Sequence, residues 1–125
     1  MIRGTGVDIV EIERIEAALS RHEDRMKRKL FTEKEREYCE ARHTPVLHYA
    51  ARFAAKEAFS KAVGTGIARG LGWQDVGVEN LPTGEPRLEL SQKALTLMEE
   101  RGAHAAHITL SHSHTVAVAF VVIED

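Results

Sequence analysis

The chain has 125 residues, of which 43% are hydrophobic and 29% are charged. This length and balance predict one globular domain, covering residues 1–125, with a single core. A formal net charge of −2 excludes a generally basic surface for nucleic acid, and a single cysteine excludes an internal disulfide. We find no membrane-length apolar run and no signal-peptide pattern, so we expect a cytoplasmic protein without a membrane partner.

The first segment, residues 2–10, has the Val and Ile content of a strand, although Gly4 and Gly6 interrupt it. Asp8 stands between apolar residues in this segment. Burying an unpaired charge is costly, so Asp8 faces water on an edge strand, caps the next helix or binds a metal ion. The residues alone leave these three alternatives open.

Residues 11–30 have the period of an amphipathic helix, with an apolar stripe from Ile12 to Leu30. A second stripe carries the basic side chains Arg14, Arg21, Arg25, Arg28 and Lys29. A third sector carries the acidic side chains Glu13, Glu16, Glu23 and Asp24. The basic stripe either attracts an acidic partner or is a solvated face. A capping-box pattern at Ser20 predicts that the helix breaks or restarts there.

Two further helices are predicted before the middle of the chain. Thr32 and Glu35 form a capping-box pattern that predicts a short helix through about residue 41. Thr44 and Pro45 predict the start of the longest helix, and Gly64 predicts its end.

This long helix carries a polar arc formed by Lys56, Glu57, Ser60 and Lys61. The arc is either a solvated face with a Glu57–Lys61 ion pair or one wall of a binding site. A glycine-rich loop follows at residues 64–72. Its spacing does not match a dinucleotide-binding motif, but the loop is a candidate lining for a phosphate site.

The second half of the chain alternates short strands with turns and one helix. We predict strands at residues 76–80, 87–90, 106–111 and 116–123, and a helix at 92–101. The last two strands are expected to form a hairpin.

The candidate chemistry depends on two carboxylates and two lysines. One cysteine with seven scattered histidines does not match a structural zinc site, and no nucleophile elbow is present. Asp8 and Glu57, together with Lys56 and Lys61, suit Mg²⁺ bound with a phosphorylated substrate. His112 is either a polar turn residue or a group that contacts the substrate.

Four segments occur in one order along the chain: residues 6–12, 52–62, 82–86 and 111–113. In this combination they resemble the bacterial holo-acyl-carrier-protein synthases, the short members of the 4′-phosphopantetheinyl transferase superfamily. The resemblance covers essentially the whole chain. It implies an α+β fold, a single domain in which an antiparallel sheet packs with a long central helix. It implies an enzyme that moves 4′-phosphopantetheine from coenzyme A to a serine of apo-acyl carrier protein and releases adenosine 3′,5′-bisphosphate.

The resemblance also implies roles for individual residues. Asp8 and Glu57 correspond to Mg²⁺ ligands, and Glu57, Lys61 and His112 to the catalytic groups. The coenzyme A contacts that it implies are Arg52, Lys56, Ser60, Lys61, Thr83, Gly84, Ser111 and His112. Many relatives carry Lys or Arg where this chain has Glu85, so we expect no basic contact from that turn.

The family implies partners as well. Its short members are typically trimers with sites at subunit interfaces, so we expect a homotrimer. Acyl carrier proteins are acidic, so Arg14, Arg25 and Lys29 become docking candidates, with Met26 as an apolar contact. Two alternatives are a non-catalytic module that binds nucleotides and acidic partners, and a magnesium-dependent nucleotide hydrolase. The base that accepts the serine proton stays open among Glu57, a metal-bound water and a neighbouring carboxylate.

Overall fold

The computed structural model describes residues 1–65, 67 and 70–125, without the side chain of residue 23. The first elements are β1 (Ile2–Glu11), α1 (Ile12–Leu30), α2 (Glu33–Glu40) and α3 (Pro45–Val63). The later elements are β2 (Val76–Asn80), β3 (Pro86–Leu90), α4 (Gln92–Glu100), β4 (Ala105–His112) and β5 (Val116–Glu124), with a short 3₁₀ helix at Trp73–Asp75. None of the described helices is long and apolar enough to cross a membrane.

The strands form two antiparallel sheets. The larger sheet has the order β1-β5-β4, and β2 pairs with β3 in the smaller one. The predicted hairpin of the last two strands is confirmed, with Ser111 opposite Val118. On the other side of β5, Asp8 of β1 lies opposite Ala119. Strand β5 is therefore central in the larger sheet, and β1 is one of its edges.

Helix α3 is the centre of the fold, because it packs on the larger sheet and also contacts α1, α2 and β2. Its apolar contact surface includes Ala54 and Ala58, which are fully buried. The helix ends at Gly64, whose φ of 79° is in the left-handed region that favours glycine. Helix α1 has 19 residues, as α3 does, and continues through Ser20 without the predicted break.

The face of the larger sheet that points away from α3 carries an apolar patch. Side chains alternate between the two faces of a strand, and this alternation places Val7, Ile9 and Phe120 on the outer face. These residues are 52%, 64% and 41% exposed. Val118 and Val122 of β5 extend the patch. Large exposed apolar side chains in one patch are typical of a protein interaction surface.

Candidate active site

Asp8, Glu57 and Lys61 come together where the edge strand β1 packs on α3, and we call them the carboxylate cluster. The Nζ atom of Lys61 donates to Asp8 Oδ1 at 3.1 Å and to the carbonyl oxygen of Val7 at 2.9 Å. Partial burial and the nearby charge of Asp8 raise the pKa of Glu57, while Lys61 opposes this shift. Lys61 therefore pairs with Asp8 rather than with Glu57, and the two carboxylates repel each other.

The carboxylate cluster fits Mg²⁺ by its donor set. Mg²⁺ prefers oxygen ligands and usually takes one or two protein carboxylates, with water and phosphate oxygens completing its shell. Asp8 and Glu57 supply two such oxygen donors. The described residues contain no group of three or more His, Cys, Asp or Glu side chains that could hold a metal ion. A site with two protein ligands leaves room for a phosphorylated substrate.

Lys56 is adjacent to Glu57 in sequence but points into the interior. Its side chain is 0% exposed. Its Nζ atom donates to Glu35 Oε1 at 2.7 Å and to the carbonyl oxygens of Trp73 at 3.0 Å and Val76 at 2.5 Å. All three ammonium hydrogens are thus used. The predicted contact between Lys56 and a coenzyme A phosphate is corrected: Lys56 is an internal anchor.

Glu35 is the buried partner that the sequence does not reveal, because the capping-box pattern indicates only a helix cap at this residue. Its Oε1 atom accepts from the Thr32 amide at 3.0 Å, and its Oε2 atom accepts from the Val78 amide at 3.1 Å. A buried ion pair is tolerated only when its remaining donors and acceptors are satisfied in this way. A lysine inside an alanine-rich helical run was the available signal, since such a lysine needs a buried acceptor.

Ser60 is also buried, and its hydroxyl donates to the carbonyl oxygen of Glu57 at 2.8 Å. The predicted polar arc is therefore split. Lys56 and Ser60 face the interior, whereas Glu57 and Lys61 remain on the accessible side. The hydroxyl of Ser60 is engaged within its own helix, and its predicted contact with coenzyme A stays a prediction.

A second group lies toward the start of α3, where His48 joins the predicted residues Arg52 and His112, and we call these three the cationic cluster. Arg52 is 2% exposed and donates to the carbonyl oxygen of His48 at 3.4 Å and to Asn80 Oδ1 at 2.5 Å. Its Nε atom has no partner among the described residues. Burial lowers the pKa of His48, and the charges of Arg52, His112 and Arg42 lower it further. This positive potential favours an anion.

The cationic cluster also supports the β2–β3 turn. Asn80, held by Arg52, donates from Nδ2 to the carbonyl oxygen of Gly84 at 2.9 Å. Within the turn, the amide of Glu85 donates to Thr83 Oγ1 at 3.4 Å. Thr83 and Gly84 are exposed, and their geometry depends on a buried guanidinium. Arg52 therefore acts on this turn through Asn80.

One chain does not bring the two clusters together. His112 lies opposite Ala117, which packs near the start of α3. His48 and Glu57 are nine residues apart on α3. This separation corresponds to about 14 Å along the helix axis. Ser111 alternates to the outer face of the sheet. The prediction that His112 and Glu57 line one site is therefore not met within a single chain.

The glycine-rich loop after α3 is only partly described. Residues 66, 68 and 69 lie outside the described part of the chain. The predicted lining of a phosphate site by this loop therefore stays a prediction.

A groove of about 640 Å³ lies between α1, β1 and α3. Met26 and Phe53 contribute to its apolar lining, and Arg14 is one of its charged lining residues. Arg25 and Lys29, the other predicted docking residues, are exposed on α1. Arg14 and Arg25 are about three helical turns apart and so share one side of α1. The structure thus combines an apolar groove with basic side chains.

Comparison with known proteins decides the family. Residues 4–121 match the family model described as the 4′-phosphopantetheinyl transferase superfamily. The chain belongs to this superfamily. A protein of Syntrophus aciditrophicus in the same superfamily, named holo-[acyl-carrier-protein] synthase, is 46% identical over 124 residues, which cover 99% of this chain and 97% of that protein.

Solved structures of proteins named holo-[acyl-carrier-protein] synthase share the fold of this superfamily member. The crystal structure from Neisseria meningitidis has a TM-score of 0.92 and 33% sequence identity, with 100% of both chains covered. A structure from Bacillus anthracis in complex with CoA (3′,5′-ADP) has a TM-score of 0.82 and 40% identity, with 99% of this chain and 97% of that chain covered. The predicted family and the predicted α+β fold are confirmed.

Proposed function

We propose that this protein transfers 4′-phosphopantetheine from coenzyme A to a serine of apo-acyl carrier protein, giving holo-acyl carrier protein and adenosine 3′,5′-bisphosphate. The observation that carries the proposal is the carboxylate cluster of Asp8, Glu57 and Lys61 in a chain of this superfamily. The printed names of the relatives agree with this activity. We propose the cytoplasm as its location, as expected from the sequence.

Asp8 and Glu57 are the residues that would hold Mg²⁺. Bound there, Mg²⁺ would neutralise charge on the diphosphate of coenzyme A and orient it. Lys61 uses two of its three ammonium hydrogens on Val7 and Asp8 and is 53% exposed. Its third hydrogen is therefore available to a phosphate oxygen. Lys61 both orients Asp8 and offers a cation to the substrate.

The reaction forms a bond between the serine oxygen and the β-phosphorus of coenzyme A. The bond from that phosphorus to the bridging oxygen breaks, and adenosine 3′,5′-bisphosphate leaves with the bridging oxygen. Negative charge grows on the phosphate oxygens, where the fixed cation of Lys61 stabilises it. Asp8 and Glu57 are the carboxylates of this cluster that can accept the serine proton, directly or through water.

The proposed assembly is a homotrimer. Its support is the exposed apolar patch around Val7, Ile9 and Phe120, which a second copy of the chain would cover. The carbonyl oxygen of Val7 also accepts from Lys61, so a neighbour on this patch adjoins the carboxylate cluster. We propose that this neighbour supplies the remaining coenzyme A contacts, which are Ser111, His112, Thr83, Gly84 and, through Asn80, Arg52.

Acyl carrier protein is proposed to dock on α1. Arg14, Arg25 and Lys29 supply positive charge for an acidic partner, and Met26 lines the adjacent groove. Arg14→Glu is expected to raise the KM for the carrier about tenfold with little change in kcat, and added salt is expected to weaken docking. The matched control is Lys93→Glu, the same charge change on α4. Equal effects of the two substitutions would contradict docking on α1.

The central experiment is mass spectrometry of apo-acyl carrier protein incubated with the protein, coenzyme A and Mg²⁺. We expect the carrier to gain phosphopantetheine on its acceptor serine, and we expect no gain in chelator or with a Ser→Ala carrier. Release of adenosine 3′,5′-bisphosphate without carrier modification would instead favour a nucleotide hydrolase. Binding of coenzyme A without either product would favour the non-catalytic module.

A further inference from the structure

Strand β1 and helix α3 approach each other unusually closely at two glycines. A Cβ atom added to Gly6 would lie 1.9 Å from the carbonyl oxygen of Ala58. A Cβ atom added to Gly4 would lie 2.2 Å from the carbonyl oxygen of Ala62. Non-bonded carbon and oxygen atoms stay about 3.3 Å apart in close protein contacts. Any side chain at either position would therefore force the strand and the helix apart by about 1 Å.

The Gly6 contact lies between the two carboxylates of the cluster. Gly6 is two residues before Asp8 on β1, and both residues face α3 because strand side chains alternate. Ala58, the residue that Gly6 touches, directly follows Glu57 on α3. The Gly4 contact is farther from Asp8, at about 13 Å along an extended strand compared with about 7 Å for Gly6. One backbone contact thus adjoins both carboxylates.

We infer that Gly6 is a positioning residue of the magnesium site: its missing side chain sets the distance between the carboxylates of Asp8 and Glu57. This inference rests on the proposed function, because that function assigns a metal ion to the two carboxylates. Gly6 touches neither metal nor substrate and acts only through the spacing of β1 and α3. Metal sites lose affinity when ligands are displaced by about 1 Å.

The test compares Gly6→Ala with Gly4→Ala, which introduces the same methyl group into the same strand–helix interface. Mn²⁺ is the probe for the Mg²⁺ site, and its binding is measured by electron paramagnetic resonance without coenzyme A or carrier. We expect Gly6→Ala to raise the Mn²⁺ dissociation constant about 10- to 100-fold. We expect Gly4→Ala to change it by less than about threefold, although both variants lower the Tm. Equal changes in Mn²⁺ affinity would overturn the inference.

A second pair of variants keeps the inference testable when Gly6→Ala fails to fold. Asp8→Glu adds one methylene to a half-buried side chain and keeps the carboxylate. If the spacing is rigid, the longer side chain does not fit, and Mn²⁺ affinity falls about tenfold or more. Unchanged affinity in Asp8→Glu would overturn the inference. In a folded Gly6→Ala background, Asp8→Glu is expected to recover Mn²⁺ affinity without recovering the Tm, an effect that a purely structural glycine does not produce.

The result of the Mn²⁺-binding test can be distinguished from the result of the transfer assay. A wild-type chain that binds no Mn²⁺ overturns both this inference and the magnesium assignment. A chain that binds Mn²⁺ with the expected Gly6 dependence but leaves the carrier unmodified supports the inference and overturns the proposed substrate.

Discussion

Two lysines on the same helix, Lys56 and Lys61, have opposite environments. Lys56 is fully buried and donates all three ammonium hydrogens to protein oxygens, including Glu35. Lys61 is 53% exposed and donates two, to Val7 and Asp8. A saturated, buried ammonium has no capacity left for a ligand, whereas an exposed one with a remaining hydrogen does. The difference separates a structural cation, Lys56, from Lys61, the cation that we propose as catalytic, within one sequence motif.

The charged groups around the two lysines also differ in what they contribute to stability. Burial lowers the pKa of Lys56, and the charge of Glu35 opposes this shift. Removing one member of such a pair leaves an uncompensated buried charge. The carboxylate cluster is the reverse case, because burial and the charge of Asp8 raise the pKa of Glu57. Its two carboxylates repel each other in the folded protein, as is expected of residues placed for a ligand rather than for stability.

The largest expected effect is on activity, from Glu57→Gln in the carboxylate cluster. The substitution removes one metal ligand at nearly constant volume, so we expect kcat/KM to fall at least about 10³-fold. Transfer to apo-acyl carrier protein is measured at saturating Mg²⁺, with circular dichroism to verify the fold. Full activity of this variant with Mg²⁺ would refute the metal assignment.

Next in size is the stability loss from Lys56→Met, which tests the buried side of the comparison. The substitution leaves the Glu35 carboxylate buried without a positively charged partner. We therefore expect the free energy of unfolding to fall by about 3–5 kcal/mol. Urea denaturation followed by fluorescence of Trp73 measures this loss. Any folded fraction should keep a near-normal KM for coenzyme A.

The double variant Glu35→Leu/Lys56→Met is the control for this loss. It removes both charges and is expected to recover part of the lost stability, because no unpaired charge remains buried. The backbone groups that the pair satisfied still lose their partners, so recovery stays incomplete. A stable Lys56→Met protein with a strongly raised KM for coenzyme A would reverse the roles of the two lysines.

Lys61→Met is expected to lower activity with little loss of stability, which is the reverse of Lys56→Met. We expect kcat to fall about 100-fold, because a cation is lost beside the phosphate oxygens. The free energy of unfolding should change by less than about 1 kcal/mol, since the Lys61–Asp8 pair is partly exposed. Single-turnover transfer measures the change in the catalytic rate, and urea denaturation of the same preparation measures the change in the free energy of unfolding. A large stability loss without loss of kcat would contradict a catalytic Lys61.

Local patterns predicted the elements well, because their signals are local. The capping box of Thr32 and Glu35 forms as predicted at the start of α2. Cys39 is a fully buried core residue, and burial raises the pKa of its thiol to about 12. Gly64 ends α3 as predicted. The motif residues also led to the right superfamily and fold.

The candidate site was predicted less completely, because its geometry depends on distant parts of the chain. A helical wheel assumes one buried side, but β1, α1, α2 and β2 all contact α3 and bury most of it. The partner of Lys56 is 21 residues away in sequence. The sheet order also places β5 between Asp8 on β1 and His112 on β4. The burial of most of α3, the partner of Lys56 and the separation of Asp8 from His112 cannot be predicted from residue spacing along the chain.

The smallest predicted effect is on the stability of the metal-free protein. The folded-state pKa of Glu57 lies above its ordinary value of 4.5, so the ionised carboxylate costs stability at neutral pH. This cost is full above the folded-state pKa and disappears as the pH falls below the unfolded-state value. Glu57→Gln is therefore expected to stabilise the metal-free protein at pH 7 by up to about 1 kcal/mol, given screening of partly exposed charges.

Thermal unfolding of wild type and Glu57→Gln in chelator, at several pH values between 4 and 7, measures this difference. The advantage of the variant should shrink as the pH falls through the titration range of Glu57. Added Mg²⁺ should reverse the order at pH 7, because a ligand that binds only the folded wild type stabilises it. A variant that is less stable than wild type at pH 7 in chelator would mean that Glu57 contributes attractive interactions in the folded chain. The carboxylate cluster would then resemble the Glu35–Lys56 pair, and the contrast between the two lysines would not extend to their neighbours.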